Sequence, residues 1–284
     1  MTRILSGQNM TRGQRRFLEM LLIRAGSTPG IHAVWLEGSF GRGDADRYSD
    51  LDIHLLVAGE RWADFQRSAA QWLAAVAPLA LCTPMFDGRM LNALTDDGLR
   101  VDLWLHDGEG ISLEPAKVQV VLDVAGCVTL DKPPARTDPA AEAAHLERQI
   151  KEFWRCISLL PSVIGRDELV VAMMGLGVEI SLLTDILIRG YGGERDAGVK
   201  KLNGYLPAGT RSALEDALAL QGLTRASLAQ AHLALAVILQ QHGPAVARRW
   251  DLAYPAALEA TVLHHVADEL AALGLATVLP ARKG

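Results

Sequence analysis

Residues 34–57 read VWLEGSFGRGDADRYSDLDIHLLV, and the fold of the chain is predicted from this stretch. It contains an apolar strand at 34–36, a glycine-rich turn, and a second strand that carries Asp50 and Asp52. Side chains alternate between the two faces of a strand, so both acids should share one face while the aliphatic residues between and after them face a core. Two carboxylates are therefore expected to lie beside one glycine-rich turn.

This arrangement suits the binding of a cation and a phosphate. Carboxylates so close together repel, so either one of them holds a proton or a cation lies between them. Hard oxygen ligands on a rigid strand, with room for water and phosphate oxygens, suit Mg²⁺. Glycines beside such a metal let backbone N–H groups approach a phosphate, because no Cβ stands in the way. The plain alternative is a surface turn followed by a strand with solvated acids.

The combination of Gly38 and Ser39, a short loop containing glycine and arginine, and SDLDI at 49–53 resembles a known signature. It is that of the DNA polymerase β superfamily of nucleotidyltransferases, and it is most similar to the bacterial aminoglycoside and lincosamide adenylyltransferases. The coincidence of all three parts is far more specific than a lone DxD. The resemblance implies an α+β fold, in which an N-terminal nucleotidyltransferase domain with a mixed β-sheet flanked by helices precedes a C-terminal α-helical bundle.

Composition agrees with a globular protein of one large or two ordinary domains, since the chain has 284 residues and is 50% hydrophobic. Its longest strongly apolar run, 169–178, is interrupted by Glu179, so no membrane span is predicted. Residues 1–20 lack the apolar segment of a signal peptide. Three cysteines without metal-site or CxxC spacing are typical of reduced thiols, so a cytoplasmic location is predicted.

The formal net charge of −5 argues against a nucleic-acid partner. Proteins that bind nucleic acid draw affinity from neutralising phosphates and usually show a basic excess. A small hydroxylated acceptor fits this chain better, and a cationic one suits its acidic balance.

A third acid, Asp102, is predicted at the centre of another strand. Helices are expected at 11–25 and 60–77, and core packing explains the tryptophans of the second helix better than base stacking does. Strands are expected at 79–86, 89–95 and 99–106, and an Asp-Gly hairpin at 96–98 joins the last two. In the families that the chain resembles, a third carboxylate on a neighbouring strand completes the metal site or takes the acceptor's proton. Some relatives carry glutamate as the base there, so whether Asp102 is ligand, base or both stays open.

The second half of the chain is predicted to be helical. Residues 118–130 resemble the strand, turn and strand that close the small adenylyltransferase domain, and DKPPARTDP at 131–139 is typical of a linker. The predicted domains are 1–135 for catalysis and 136–284 for binding substrate and nucleotide. Five helices are expected, at 139–160, 166–189, 211–220, 224–241 and 255–273, separated by proline or glycine at 161, 190–193, 204–209 and 243–244.

Three basic residues are candidates for phosphate contacts. Arg42 lies inside the glycine-rich loop, where a guanidinium could make a forked contact with β- or γ-phosphate oxygens. The segment GVKKLNGYLP at 198–207 resembles one in streptomycin-modifying adenylyltransferases, where a lysine points toward the nucleotide phosphates. Lys200 and Lys201 are the candidates for this role, although adjacent lysines are commonly just solvated.

The resemblance implies transfer of AMP from ATP to a hydroxyl of a small molecule, of aminoglycoside type, with release of pyrophosphate. Two Mg²⁺ ions held by Asp50 and Asp52 would bridge the triphosphate, with Gly38 and Ser39 at its β,γ end. An aminoglycoside's ammonium groups need carboxylate partners, and Glu179 and Asp185 are the candidates. The alternative is that both are solvated helix residues without such a role.

Two rival functions stay open, a protein AMP transferase and a non-catalytic, antitoxin-like nucleotide-binding protein. Three acids and a full-size helical domain count against the second. The sequence indicates neither the acceptor's identity nor the oligomeric state.

Overall fold

The computed structural model describes residues 10–124, 126–134, 138–193 and 201–275. The chain divides into two compact units, residues 1–135 and 136–284. Each unit has its own hydrophobic core. The proline-rich stretch 131–139 spans the division.

The first unit is built on a mixed sheet, so the α+β prediction is confirmed. Its elements are α1 (Arg12–Ser27), β1 (Ile31–Leu36), α2 (Gly38–Arg42), β2 (Leu51–Val57), a short 3₁₀ helix (Gly59–Arg61), α3 (Trp62–Ala74), β3 (Leu79–Met85), β4 (Met90–Thr95), β5 (Arg100–Asp107), β6 (Ile111–Ser112), β7 (Gln119–Asp123) and β8 (Val128–Thr129). The six strands of the main sheet lie in the order β3-β4-β5-β2-β1-β7. Strands β2 and β5 are parallel neighbours, and the other pairs of this sheet are antiparallel.

The start of helix α1 is fixed by hydrogen bonds between neighbouring residues. The Thr11 side chain accepts from the Gln14 backbone N–H, and the Gln14 side chain accepts from the Thr11 N–H, so α1 begins with a capping box. Its apolar face, including Phe17 and Leu21, is buried in the main core of the unit. On α3, Trp72 is buried there too and donates to Thr28 Oγ1 at 2.9 Å, so core packing is confirmed for this tryptophan.

The strands predicted from the sequence are present, and the structure adds their partners. The Asp-Gly hairpin between β4 and β5 forms, with Gly98 at φ +87°. The strand, turn and strand predicted at 118–130 are present, but the two strands belong to different sheets. Strand β7 pairs with β1, whereas β8 forms a two-stranded parallel sheet with β6.

The second unit is helical in the part that the structure describes. Its helices are α4 (Pro139–Ser158), α5 (Leu160–Gly165), α6 (Leu169–Gly190), α7 (Ala208–Ala217), α8 (Arg225–Arg249) and α9 (Ala256–Ala272). Five were predicted, and α5 is the additional short one. By length and composition α6 could cross a membrane, a test that core helices also pass. In this unit α6 packs against α4 and α8, with Leu183 and Leu187 buried between helices.

The predicted end of the fourth long helix at Gln241 is wrong. Helix α8 continues through Pro244 to Arg249. Proline removes one backbone hydrogen bond and crowds the preceding turn. Burial of Val246 and Ala247 compensates, and Gly243 lies against Tyr254, whose Cζ would be 3.2 Å from a Cβ at position 243.

The expectations for Glu179, a solvated residue or a partner for substrate ammonium groups, are wrong. Glu179 is only 1% exposed, and its Oε2 lies 2.7 Å from His232 Nδ1. The second ring nitrogen of His232 lies 3.1 Å from the Ala172 carbonyl oxygen. Burial raises the pKa of the Glu179 carboxyl, and the contact with His232 opposes that rise. Asp185 is half-buried and paired with His145 and Arg189.

Replacing Glu179 by leucine is expected to lower the free energy of unfolding by about 1–3 kcal/mol, because His232 Nδ1 then stays buried without its partner. A second change, His232→Leu, should recover most of this loss, since apolar groups of similar size can replace a buried pair at little cost. Chemical denaturation measures both. The control is Asp268→Leu, which breaks the exposed pair with His264 and should change stability by at most about 0.5 kcal/mol. Equal losses for Glu179→Leu and Asp268→Leu would contradict the prediction.

Candidate functional site

Three carboxylates meet at the start of the two parallel strands. Asp52 on β2 and Asp102 on β5 are direct partners in the parallel ladder, so they lie side by side on one face of the sheet. Asp50 immediately precedes β2. One carboxylate oxygen from each of the three residues lies within 4.8 Å of the others, and all three side chains are half-buried. The donors are hard oxygens, which are the ligands that Mg²⁺ takes in proteins.

The glycine-rich segment lies directly against this cluster. Gly38 has φ +60°, and a Cβ at this position would overlap Asp52 Oδ2 and lie 3.0 Å from its Cγ. The Glu37 backbone N–H donates to the Asp52 carbonyl oxygen at 3.0 Å, which holds the segment on β2. Only glycine combines this backbone conformation with so close an approach. The predicted turn is in fact the short helix α2, which is capped at its C-terminal end by Gly43 with φ +81°.

The other predicted phosphate ligands lie in different parts of the chain. Ser39 and Arg42 are on α2, where Ser39 is 8% exposed and Arg42 Nη2 lies 3.3 Å from Asp44 Oδ1. Lys201 belongs to the helical unit, and Lys200 lies outside the described residues. Within the first unit, therefore, the structure brings together Asp50, Asp52, Asp102 and Gly38.

Sequence reasoning missed one polar side chain that contacts the triad. Asn92 on β4 donates from Nδ2 to Asp102 Oδ1 at 2.6 Å. Glu37, which follows β1, contacts Asp52 through its backbone N–H, and its side-chain Oε1 accepts from Trp35 Nε1 at 2.9 Å. The available signal for Asn92 was an amide within an otherwise apolar strand, because asparagine is uncommon in strands.

A pair of neutral histidines lies further along the same strands. His54 Nδ1 and His106 Nε2 are 2.9 Å apart, and the His54 ring is stacked between Trp35 and Trp104. Burial lowers the pKa of His54 to about 3, and His106 contributes to the shift. Burial also lowers the pKa of His106. At neutral pH neither ring is charged, and His54 is a buried residue with 7% exposure.

Asp50 also lines a groove with a volume of about 300 Å³. The groove lies between the start of α1, the segment 47–50 and the β4–β5 hairpin. Charges of both signs line it, from Asp50, Asp97, Arg47 and Arg100. Of the three acids, Asp50 therefore borders a polar groove within the first unit.

Residues 11–268 match the streptomycin adenylyltransferase family. The chain belongs to this family. It is therefore a nucleotidyltransferase of the DNA polymerase β type, an enzyme whose substrates include a nucleoside triphosphate. The match spans both units, from the cap of α1 to the last turns of α9.

Other comparisons add little to this assignment. The chain is similar to the CdnE cyclic dinucleotide synthase of Elizabethkingia meningoseptica, solved with GTP and Apcpp, at 10% identity over 96% of this chain and 98% of that one, with a TM-score of 0.27. It is also similar to the CdnC:HORMA-deltaN complex of E. coli MS115-1, at 12% identity over 99% and 97%, with a TM-score of 0.29. Scores this low support no argument about mechanism. No curated protein sequence matches the chain.

Proposed function

We propose that the protein is a Mg²⁺-dependent adenylyltransferase that transfers AMP from ATP to a hydroxyl of a small, aminoglycoside-type molecule and releases pyrophosphate. The observation that carries this proposal is the meeting of Asp50, Asp52 and Asp102 beside Gly38. Membership of the streptomycin adenylyltransferase family supports the choice of donor and acceptor. Three reduced cysteines among the described residues fit a cytoplasmic location.

The three carboxylates would hold the metal. Their charge, hard oxygen donors and mutual distances fit one or two Mg²⁺ ions. When bound, Mg²⁺ neutralises charge on the triphosphate oxygens and lowers the pKa of a coordinated hydroxyl. This chain's own part is to place Asp52 and Asp102 on rigid strands and Asp50 immediately before one, so that little reorganisation is needed during the reaction.

The remaining residues would bind and orient the triphosphate. Backbone N–H groups at Gly38 and Ser39, together with the Ser39 hydroxyl, would donate to its β,γ end. Arg42 and either Lys200 or Lys201 would balance the charge of the leaving pyrophosphate. Positioning and electrostatics then supply most of the catalysis, as in phosphoryl transfer generally.

The bond changes are those of a substitution at the α-phosphorus. The acceptor hydroxyl oxygen forms a bond to this phosphorus, and the bond to the oxygen bridging the α- and β-phosphates breaks. Pyrophosphate leaves with the electron pair of that bond. The hydroxyl proton passes to a base, for which an oxygen of Asp102 is the candidate.

The acceptor assignment rests on the family and on charge. Streptomycin and its relatives carry several cationic groups and many hydroxyls, which suits a protein of net charge −5. The groove beside Asp50, at about 300 Å³, has room for one sugar-sized part of such a molecule.

The direct test is mass spectrometry of aminoglycosides and lincosamides incubated with the protein, Mg²⁺ and each nucleoside triphosphate in turn. We expect an AMP adduct of one aminoglycoside with ATP, together with pyrophosphate. An AMP label on a partner protein, without modification of any small molecule, would instead favour a protein AMP transferase. Nucleotide binding without turnover of any acceptor would favour the non-catalytic alternative.

The contribution of Arg42 can be measured by itself. The change Arg42→Gln is expected to raise the KM for ATP by about tenfold, because a hydrogen bond to a charged group contributes about 1.5–3 kcal/mol. Steady-state kinetics at saturating acceptor measures this. The control is Arg61→Gln, an exposed residue paired with Glu60, which should leave KM unchanged. An unaltered KM in Arg42→Gln would remove Arg42 from the phosphate site.

A further inference from the structure

Three polar side chains form a row across three adjacent strands. Asn92 on β4 is the antiparallel partner of Asp102 on β5. Asp102 is in turn the parallel partner of Asp52 on β2. Direct partners in a sheet point to the same face, so the row runs from an amide to two carboxylates.

The contact between Asn92 and Asp102 is short and directed. The amide nitrogen Nδ2 lies 2.6 Å from Oδ1 of the carboxylate. Hydrogen bonds to an ionised acceptor are shorter and stronger than those between neutral groups. The bond therefore restrains the carboxylate and engages one of its two oxygens.

An asparagine at position 92 is unusual for a strand residue. Its strand neighbours Leu91 and Ala93 point to the opposite face of the sheet, where each is 2% exposed and belongs to the core. Asparagine is depleted in strands, where β-branched and aromatic residues are favoured. The hydrogen bond to Asp102 accounts for an amide at this position.

We propose that Asn92 is a positioning residue, which holds Asp102 so that Oδ2 is the oxygen offered to the metal. This inference rests on the proposed function of the triad. An uncharged donor suits the task, since it orients the carboxylate without cancelling the negative charge that attracts a cation. Lysine or arginine at this position would form an ion pair with Asp102 and compete with the metal. Residues that hydrogen-bond metal ligands orient them, and removing such a residue commonly weakens metal binding by about 10–100-fold.

The test is Mn²⁺ binding, followed by electron paramagnetic resonance of the free ion, with Mn²⁺ in place of Mg²⁺. The change Asn92→Leu keeps the branched shape and the number of heavy atoms of the side chain, and it removes the donor. We expect the Kd for Mn²⁺ to rise by about tenfold and kcat to fall while the KM for the acceptor stays unchanged. Asn92→Ser provides a second, milder variant, because its hydroxyl is one atom too short to bridge to Oδ1, and it should show the same loss. Circular dichroism confirms that each variant is folded.

The matched control is Gln66→Leu. Gln66 Nε2 also donates from a side-chain amide, but to the Asp87 backbone carbonyl at 2.7 Å on the exposed surface of the same unit. This variant should bind Mn²⁺ as the unmodified protein does. A structural role for Asn92 would lower stability without changing the Kd for Mn²⁺.

Asp102→Asn separates the two possible failures. If it loses Mn²⁺ binding while folded Asn92→Leu or Asn92→Ser keeps the original Kd, the positioning role is wrong and the proposed metal site stands. If Asp102→Asn binds Mn²⁺ as tightly as the unmodified protein, or if that protein binds none, the metal site and the role of Asn92 are both overturned.

Discussion

Replacing Asp52 by asparagine is expected to reduce nucleotidyl transfer by about a thousandfold or more while leaving the fold intact, and Asp50→Asn should act similarly. A neutral amide keeps the volume of the side chain but removes the charge that would hold a divalent cation against the triphosphate. Metal ions at such sites contribute several kcal/mol to stabilising the transition state, and about 1.4 kcal/mol corresponds to a tenfold change in rate.

The measurement is the rate of pyrophosphate release with ATP, Mg²⁺ and the acceptor found in the screen. Asp107→Asn is the matched control, because Asp107 lies at the other end of β5 and pairs with Arg89 at 2.9 Å, away from the triad. It should retain full activity. Full activity in both Asp50→Asn and Asp52→Asn would remove the metal assignment.

The second large effect is expected from Gly38→Ala. Adding one methyl group here places a Cβ on Asp52 Oδ2, so either the carboxylate or the α2 backbone must move. In addition, the left-handed backbone conformation at φ +60° lowers the stability of a protein with a non-glycine residue there by about 1–2 kcal/mol. We expect at least about a hundredfold loss of activity, because positioning errors of about 1 Å reduce rates by this factor. A fall in thermal stability should accompany it.

Gly126→Ala controls for the backbone term alone. Gly126 has φ +63°, nearly the same as Gly38, but a Cβ there meets no atom within 4 Å. The two variants should lose similar backbone stability, and only Gly38→Ala should lose activity. If both variants retain full activity, the contact between Gly38 and Asp52 has no part in the reaction.

Much of the first unit was predictable because its signals are local. The capping box at Thr11, the Asp-Gly hairpin and the alternating strands around Asp52 and Asp102 all depend on residues close together in the chain. The glycine-serine motif followed by strand acids adds a specific resemblance, which the family match confirms. The mixed sheet and helical second half were therefore expected correctly.

Features that depend on distant partners were not predictable. Nothing near Glu179 indicates that His232, on another helix, would reach it. Helix α8 continues through Pro244 because its far end packs into the core, a benefit that local propensity does not report. The hydrogen bond from Asn92 depends on the register of β4 against β5, which a one-residue slip would abolish.

The amino-acid sequence alone determined which residue types this protein brings to its chemistry, namely acids at alternate positions next to glycines that permit close approach. Tertiary structure alone decided that Asp52 and Asp102 are partners, that Asn92 donates a hydrogen bond to Asp102, and that Glu179 is buried away from solvent. The physical reason is the separation along the chain over which each interaction acts. Side-chain alternation and turn chemistry act between neighbours in the chain, whereas strand order, register and burial follow from how the whole unit packs.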